Sequence, residues 1–466
     1  MPDPDRLSED ARAIWSAGVA AVHAQRLIRT AVRIEDHDLV VCGHRLARDQ
    51  VGRVVVVGAG KAGAGMAAGV EQALAEGDWA DKLEGWVNVP ADCVRPSPRI
   101  HLHAARPPGL NEPTLEGVRG AREVLRRVQS LGPSDVCLVL ISGGGSALLP
   151  APRPPLTLAD KQAVTRWLMH SGATIRELNT VRKQLSLVKG GKLAQAAPAG
   201  HLIGLIISDV VGDPLDVIAS GPTCPDGSTA QEARDVLRRY GACPPRVPQA
   251  VLDLLDAAPA RAAAPGAGLG GARVWNHVIG NNARALEAAA REARQRGYEV
   301  CALGSDNQGE ANQEGWDLAE RCRAERDRRA RGEPPLCLLS GGEPVVHLAA
   351  TDQPRKGGRN QQLVLAALTR LRDGGLEGIV VLSGGTDGED GPTDAAGAWA
   401  DAQLLAAANR LGLDPRPYLE VNNAYAFFAP LGGLLKTGPT QTNVMDLRVA
   451  LVDGGGPPQR QYAAPA

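Results

Sequence analysis

The sequence predicts an α/β fold with a largely parallel sheet. Short apolar runs at Val54 to Val57, Val136 to Ile141 and His201 to Ile207 have the length and composition of buried strands. Segments with helical spacing of apolar residues separate these runs, for example between Glu112 and Ser130. Strands that alternate with helices of this length are typical of a parallel sheet covered by helices.

The chain length indicates two domains, because 466 residues exceed what one hydrophobic core usually supports. Residues 257–272 have the sequence AAPARAAAPGAGLGGA, which contains only small residues, proline, leucine and one arginine. This stretch is poor in both helix and strand formers and is typical of a linker. We therefore expect a first domain at 1–256 and a second domain at 273–455.

The composition disfavours several classes of function. Lys and Arg total 51 and Asp and Glu total 52, so bulk charge does not favour a nucleic acid or an acidic membrane as partner. Aromatic residues make up only 3%, which disfavours surfaces that stack on bases. The N-terminal segment lacks the apolar core of a signal peptide, and no uncharged apolar stretch is long enough to span a bilayer. We expect a cytoplasmic protein.

The first predicted strand ends in a glycine-rich turn that contains a lysine. Gly58, Gly60 and Gly63 match the G-x-G-x-x-G pattern of dinucleotide-binding proteins. That pattern also requires an acid at the end of the second strand, about 20 residues further on, where this chain has Asn-Val-Pro. Lys61 lies at a helix start, where a cation is unfavourable unless an anion binds there. An anion site is favoured over a nicotinamide site, and a plain turn with a solvated lysine is the third option.

A second glycine loop follows the predicted strand at 136–141. The loop 142–146, Ser-Gly-Gly-Gly-Ser, could present backbone N–H groups to a phosphate or a carboxylate, or could be a tight turn only. Ser-Gly-Gly follows an apolar strand again at Ser340 and at Ser383. Ligands of open α/β sheets bind beyond the carboxyl ends of the strands, so these loops are candidate binding elements.

Acid-rich loops also follow predicted strands. Asp209 and Asp213 come directly after the strand at 201–207, and residues 390–394 have a similar composition. Mg²⁺ takes one or two carboxylates and completes its shell with water and phosphate oxygens, so such loops suit it. Asp and Gly also form turns without any ligand, which is the alternative.

One predicted helix in the second half begins with an arginine. Arg359 follows two glycines at this helix start, where its charge opposes the helix dipole. An anion or an acid is expected nearby, and Glu343 is the candidate acid. A solvated arginine is the alternative.

These motifs together resemble the glycerate 2-kinase family, whose C-terminal half carries the MOFRL domain. The matching segments are VVVVGAGKAG (54–63), LISGGGSALL (140–149), LNTVRKQLSLVKGGKLA (178–194), LIISDVVGDPLDVIASGPT (205–223), LLSGGEP (338–344), GGRNQQ (357–362), LSGGTDGEDGPTDAAGA (382–398) and TGPTQTNVMDLRVAL (437–451). The resemblance implies Mg²⁺-dependent transfer of the ATP γ-phosphoryl group to D-glycerate, giving 2-phosphoglycerate. It also implies a Rossmann-like N-terminal domain with a mostly parallel sheet, a smaller α/β C-terminal domain, and an active site in the cleft between them.

The resemblance also suggests roles for individual residues, and the chemistry of the loops described above adds further candidates. The expected catalytic residues are Lys61, Arg359 and Asp209. The expected substrate- or nucleotide-binding residues are Gly60, Ser142, Gly143, Gly144, Gly145, Ser146, Lys192, Glu343 and Asn443. The expected metal ligands are Asp387 and Asp213. Gln441 and Met445 stand where the family pattern has a glycine and a small polar residue.

Glycerate and ATP are the expected partners, with no nucleic acid and no membrane, and a homodimer is an open option. An NAD(P)H-dependent hydroxypyruvate reductase is the alternative function, because the first glycine turn partly fits a dinucleotide.

Overall fold

The computed structural model describes residues 4–75, 78–198, 200–258, 271–330 and 332–454. The chain forms two compact units. The N-terminal unit comprises His23–Asn281 and Gln441–Asn443, and the C-terminal unit comprises Met1–Val22, Asn282–Thr440 and Val444–Ala466. Within the described ranges, no helix is long and apolar enough to cross a membrane.

Helix α1 (Pro4–Ala21) begins the chain and belongs to the C-terminal unit. The N-terminal unit then contains α2 (Ala24–Ala31), β1 (Val32–Glu35), β2 (Asp38–Val41), β3 (His44–Leu46), β4 (Val54–Ala59), α3 (Gly63–Ala75), β5 (Leu83–Pro90), β6 (Ile100–Arg106), α4 (Leu115–Gln129), β7 (Val136–Ile141), α5 (Gly145–Leu148), α6 (Leu158–His170), α7 (Ile175–Gln184), α8 (Lys192–Gln195), β8 (His201–Ile207), α9 (Ala230–Arg239), α10 (Gln249–Asp256) and β9 (Arg273–Gly280).

The main sheet of the N-terminal unit is entirely parallel, with strand order β6-β5-β4-β7-β8-β9. Its central strands β4 and β7 are buried over their whole length, which explains their continuous apolar sequence. Val124 and Val128 of α4 pack on one face of the sheet against Val57 and Val139. The predicted parallel sheet is confirmed. Strands β1, β2 and β3 form a separate antiparallel sheet.

The C-terminal unit continues with α11 (Asn282–Gln295), β10 (Glu299–Ala302), α12 (Ala311–Arg328), β11 (Leu336–Gly342), α13 (Arg359–Leu371), β12 (Ile379–Gly385), β13 (Gly397–Ala400), α14 (Ala402–Arg410), α15 (Pro415–Glu420), α16 (Ala424–Phe428), β14 (Leu434–Leu435) and β15 (Asp446–Val452). Its sheet has the order β10-β11-β15-β12-β13-β14 and is mixed, because β15 runs antiparallel to both β11 and β12.

Helices cover both faces of this mixed sheet, so alternate residues of β15 enter different cores. Ala450 and Val452 pack in the core that contains residues of α12 and α13. Val449 and Leu451 pack in the core that contains residues of α1 and α11. A strand buried on both faces loses the alternation of apolar and polar residues.

The units differ from the predicted domains, 1–256 and 273–455, at three places, one of which is the segment Gln441–Asn443 in the N-terminal unit. Helix α1 groups with the C-terminal unit because Ile14 and Trp15 pack in the core beside α11 and β15. Strand β9, which the prediction placed in the second domain, pairs with β8 and completes the parallel sheet. Of the predicted linker 257–272, residues 259–270 lie outside the described residues.

Candidate active site

The two glycine loops of the N-terminal unit are joined by backbone contacts. Strands β4 and β7 are parallel neighbours, so their carboxyl ends lie side by side. Lys61 N donates to Gly143 O at 2.9 Å, and Ala62 N donates to the Ser142 hydroxyl at 3.1 Å. A β-carbon at Gly60 would lie 2.0 Å from Ser142 Oγ, so only glycine fits there. This geometry fixes the backbone of Lys61 against the second glycine loop.

Gly143 brings the loop against two predicted site residues. A β-carbon at Gly143 would lie 2.4 Å from Asp209 Oδ2 and 2.4 Å from Asn443 Nδ2. The Asn443 amide donates to Asp209 Oδ2 at 3.4 Å, although the two residues are 234 positions apart. The structure therefore places Asp209 and Asn443 directly beside the loop that contacts Lys61.

A second cation lies at this loop and was missed from the sequence. Gly144 has a left-handed backbone with φ +74°, and a β-carbon there would lie 3.2 Å from Arg106 Nη2 and 3.6 Å from Lys61 Cγ. Arg106 ends the strand β6, and Asn111 accepts from its guanidinium at 2.7 Å. The one available signal was the position of Arg106 at the carboxyl end of a strand.

Ser146 and Lys192 are held by neighbouring parts of the same unit. The Ser146 hydroxyl lies 3.2 Å from the Ser220 hydroxyl, and Lys189 Nζ donates to Ser146 Oγ at 2.7 Å. Lys192 Nζ donates to the carbonyl of Lys183. Burial, the largest cause, lowers the pKa of Lys192 to about 8.

Asp213, the second predicted metal ligand, lies against Asn281 of the same unit. The Asn281 amide donates to Asp213 Oδ2 at 2.6 Å, and Asp213 has a left-handed backbone with φ +53°. Its carboxylate thus ties the loop after β8 to the residue that follows β9.

Arg359 is held by two carboxylates in the C-terminal unit. Asp446 accepts from Arg359 Nε at 2.7 Å and from Nη2 at 2.9 Å, in a bidentate pair. Glu343 Oε1 lies 3.1 Å from Arg359 Nη1, so the contact predicted from the sequence is present. Burial would lower the pKa of Arg359, but Asp446 and then Glu343 raise it above its ordinary value. Sequence reasoning missed Asp446, which is fully buried and lies 87 positions away.

Asp387 lies near the same pair. A β-carbon at Gly385 would be 3.1 Å from Asp387 Oδ1 and 3.6 Å from Asp446 Oδ1, so the two carboxylates flank this glycine. Glu389 N donates to Asp387 Oδ1 at 3.1 Å. No group of three or more His, Cys, Asp and Glu side chains arranged to hold a metal occurs among the described residues.

Asp390, from the predicted acid-rich loop, caps the helix that Arg359 begins. Its carboxylate accepts from Asn360 N at 3.0 Å and from Gln361 N at 2.9 Å. Burial raises the pKa of Asp390 to about 6, against the effect of these hydrogen bonds. An acid at the start of α13 offsets part of the cost of an arginine there.

The two departures from the expected terminal motif have unusual backbones. Gln441 has φ +61° and Met445 has φ +70°, a left-handed conformation that costs a non-glycine residue about 1–2 kcal/mol. Gln441 Oε1 accepts from Arg95 at 3.3 Å. Gln441 therefore keeps the left-handed backbone that suits the glycine of the family pattern, and its contact with Arg95 helps to hold it.

The position expected to bind a dinucleotide ribose has no acid. Asn88 stands near the end of β5, is fully buried, and donates to the carbonyl of Leu148 at 2.8 Å. Its other amide atom accepts from Trp86 at 3.1 Å. The Asn88 side chain is thus used by hydrogen bonds within the unit. This strand end lacks the carboxylate of the nicotinamide pattern.

The N-terminal unit has a parallel sheet whose two glycine loops are joined and lie beside a lysine and an arginine. The C-terminal unit has a mixed sheet beside which an arginine is held between two carboxylates. These features together define a two-unit α/β enzyme. Residues 10–256 match the family model described as a domain of unknown function, DUF4147, and residues 336–446 match the MOFRL family. The human protein named glycerate kinase is 37% identical, with 94% of this chain and 92% of that protein covered. A protein of Agrobacterium vitis provisionally named hydroxypyruvate reductase is 39% identical, with 95% and 96% covered.

Among solved structures, the glycerate kinase of Thermotoga maritima superposes with a TM-score of 0.81 at 33% identity, covering 97% of this chain and all of that chain. The chain belongs to the glycerate kinase family with a C-terminal MOFRL domain.

Proposed function

We propose that this protein transfers the γ-phosphoryl group of ATP to the 2-hydroxyl of D-glycerate, giving 2-phospho-D-glycerate and ADP. One observation carries the proposal beyond family membership. Lys61 and Asp209 both lie against Gly143 in the N-terminal unit. A cation and a carboxylate at one glycine loop are the groups that phosphoryl transfer to an alcohol requires.

Asp209 is the proposed general base. The glycerate hydroxyl oxygen forms the new bond to phosphorus, the bond from phosphorus to the ADP oxygen breaks, and the hydroxyl proton passes to the Asp209 carboxylate. Asn443 donates to this carboxylate and orients it. The loop 142–146 holds an anionic group of one of the two substrates.

Lys61 and Arg359 are the proposed cations for the transferring group. Phosphoryl transfer depends mainly on positioning and on neutralisation of charge. The bidentate pair with Asp446 fixes the direction of the Arg359 guanidinium before substrate binds. Preorganised charge of this kind stabilises a transition state without reorganisation during the reaction.

Mg²⁺ is the proposed metal. Asp387 fits it, because a nucleotide-bound Mg²⁺ needs only one or two protein carboxylates and takes its other ligands from phosphates and water. Asp213 is the second proposed ligand. Bound Mg²⁺ would neutralise charge on the nucleotide phosphates. The proposed compartment is the cytoplasm, on the sequence features described above.

The test is to incubate the protein with D-glycerate, Mg²⁺ and ATP and to follow ADP and the product by phosphorus NMR. ADP should form only when glycerate and Mg²⁺ are both present, and enolase should consume the product directly. A product that enolase accepts only after a mutase is added would be 3-phosphoglycerate and would refute the assigned position. Faster oxidation of NADH with hydroxypyruvate than formation of ADP with glycerate would favour the reductase instead.

A further inference from the structure

Four cationic side chains of the N-terminal unit take no part in the transfer step described above, although one of them, Lys192, is among the expected substrate- or nucleotide-binding residues. We define the cation cluster as Lys161, Arg182, Lys189 and Lys192. These residues come from α6, the last turn of α7, the following turn, and the start of α8. The cluster forms because the two helices and this turn fold back on one another.

Lys161 is the most unusual member. Its side chain is nearly inaccessible, with a relative exposure of 7%, and its Nζ is buried and has no hydrogen-bond partner among the described residues. Burial, and then Arg182 and Lys192, lower the pKa of Lys161 to about 7. A buried ammonium without a partner is strongly unfavourable, so the residue needs an anion to be stable in its charged form.

The nearby carboxylates do not supply that anion. Asp216 and Asp226 each lie 3.3 Å from Lys183 Nζ and form ion pairs with it. Asp226 also offsets part of the lowering that burial causes in the pKa of Lys192. The charges that shift the pKa of Lys161, however, are both cations, Arg182 and Lys192. Arg182 and Lys192 are only partly buried, so this side of the cluster is in contact with solvent. An anion from solution can therefore complete the charge balance.

Lys189 connects the cluster to the second glycine loop. It is almost completely buried, and its Nζ donates to the hydroxyl of Ser146 at 2.7 Å and to the carbonyl of Ser146 at 3.0 Å. Burial, and then Lys161 and Arg182, place the pKa of Lys189 well below its ordinary value. The cluster is thus continuous with the loop 142–146.

We propose that the cation cluster is a binding site for a polyphosphate group. If the proposed kinase function holds, on which this identification rests, the occupant is the phosphate chain of the nucleotide. Arginine and lysine are the usual ligands of phosphate oxygens. A polyphosphate carries several negative charges and many acceptor oxygens, which match four cations better than the single carboxylate of glycerate does.

Binding of such an anion should draw a proton onto Lys161, because the anion favours the charged amine. At pH 8 the free protein holds Lys161 mostly neutral, given its pKa of about 7. The complex should therefore take up close to one proton. Calorimetry in buffers of different ionisation enthalpy measures this uptake, and a lysine with only a structural role would not produce it.

The test compares Lys161→Met and Arg182→Met with the matched control Arg176→Met, which removes an exposed arginine from the same helix α7. Inorganic triphosphate, ADP and 2-phosphoglycerate are titrated into each protein without glycerate. Triphosphate and ADP should bind each cluster variant about tenfold or more weakly, the loss expected for one charge-assisted hydrogen bond. The control should bind as the wild type does. Proton uptake should disappear in Lys161→Met.

Folding failure would not obscure the result, because Lys161→Met removes a buried unpartnered charge and should melt at or above the wild-type temperature at pH 7. Wild-type affinity for triphosphate in both cluster variants would overturn the proposal. A loss confined to 2-phosphoglycerate would overturn the assignment to the nucleotide. Weakened triphosphate binding in a protein that forms no ADP from glycerate would instead support the cluster and refute the proposed kinase function.

Discussion

Replacing Arg359 with methionine should impair both catalysis and stability. The position of this arginine at a helix start suggests that its removal would be neutral or stabilising, because a cation there opposes the helix dipole. The structure overturns that expectation, since Asp446 forms a bidentate pair with Arg359. In Arg359→Met the Asp446 carboxylate would keep its burial and lose its main partner.

The magnitude follows from the burial of the pair. The Asp446 side chain is 0% exposed and the Arg359 side chain is 33% exposed. Removal of one partner from a buried pair costs about 3–5 kcal/mol, and the partial exposure of Arg359 favours the lower end, about 3 kcal/mol. For a unit of this size that loss lowers the melting temperature by roughly 6–12 °C. The loss in kcat should be on the order of 10²–10³, as for other preorganised charges.

The assay combines thermal melting with the ADP-forming reaction. Arg359→Met/Asp446→Asn should recover most of the melting temperature, because the buried charge is gone, without recovering kcat. Arg370→Met is the matched control from the same helix, because its partner Glu320 is partly exposed and such pairs contribute about 1 kcal/mol or less. An Arg359→Met protein that melts like the control, or a double variant that melts as low as the single one, would refute the reasoning.

Four further outcomes are expected. Asp387→Asn should raise the Mg²⁺ concentration for half-maximal rate more than the KM for glycerate, since carboxylates set metal affinity; an unchanged Mg²⁺ dependence would exclude it as a ligand. Gly143→Ala should lower kcat, because the new β-carbon would lie 2.4 Å from the adjacent carboxylate; wild-type kinetics would contradict this geometry. Lys61→Met should lower kcat by on the order of 10²–10³, and combined with Arg359→Met by less than the product of the two effects, if both act on one transition state; multiplicative losses would assign them to separate steps. The free energy of unfolding should rise between about pH 7 and 10.5, because the unfolded chain keeps the Lys161 proton up to its ordinary pKa of 10.5 and the folded chain releases it near 7; urea melts across this range should show a flatter rise for Lys161→Met.

The parts of the fold that the sequence predicted well are the strands buried on both faces. Strands β7 and β8 begin and end where the apolar runs Val136–Ile141 and His201–Ile207 do. The N-terminal segment is less apparent from the sequence, because the chain forms two helices, α1 and α2, in close succession and enters β1 at Val32. Strands β1, β2 and β3 are short and mostly contain charged or histidine residues beside the apolar ones, so periodicity alone does not reveal them.

The sequence predicted which loops form the candidate site, but it did not predict which residues pair with one another there. Glycine loops after buried strands are visible in the sequence, and Lys61 and Asp209 follow β4 and β8, the two strands on either side of β7. The partners of these residues depend on register and on contacts across long separations, such as the 234 positions between Asp209 and Asn443. Their catalytic roles stay predictions.

The repeated Ser-Gly-Gly sequence of the C-terminal unit lies on both sides of the acid that holds Arg359. Strands β11 and β12 both run antiparallel to β15, so they are parallel to each other and their Ser-Gly-Gly ends lie at the same edge of the sheet. In register, Gly342 and Gly385 lie on either side of Asp446. A β-carbon at Gly342 would lie 2.1 Å from Asn307 O, and one at Gly385 would lie 2.6 Å from Glu389 O, so neither position has room for a side chain. The last glycines of the two repeats therefore let loop backbone pack closely on the strands that flank Asp446, and Asp446 in turn holds the arginine that we propose acts on the phosphoryl group.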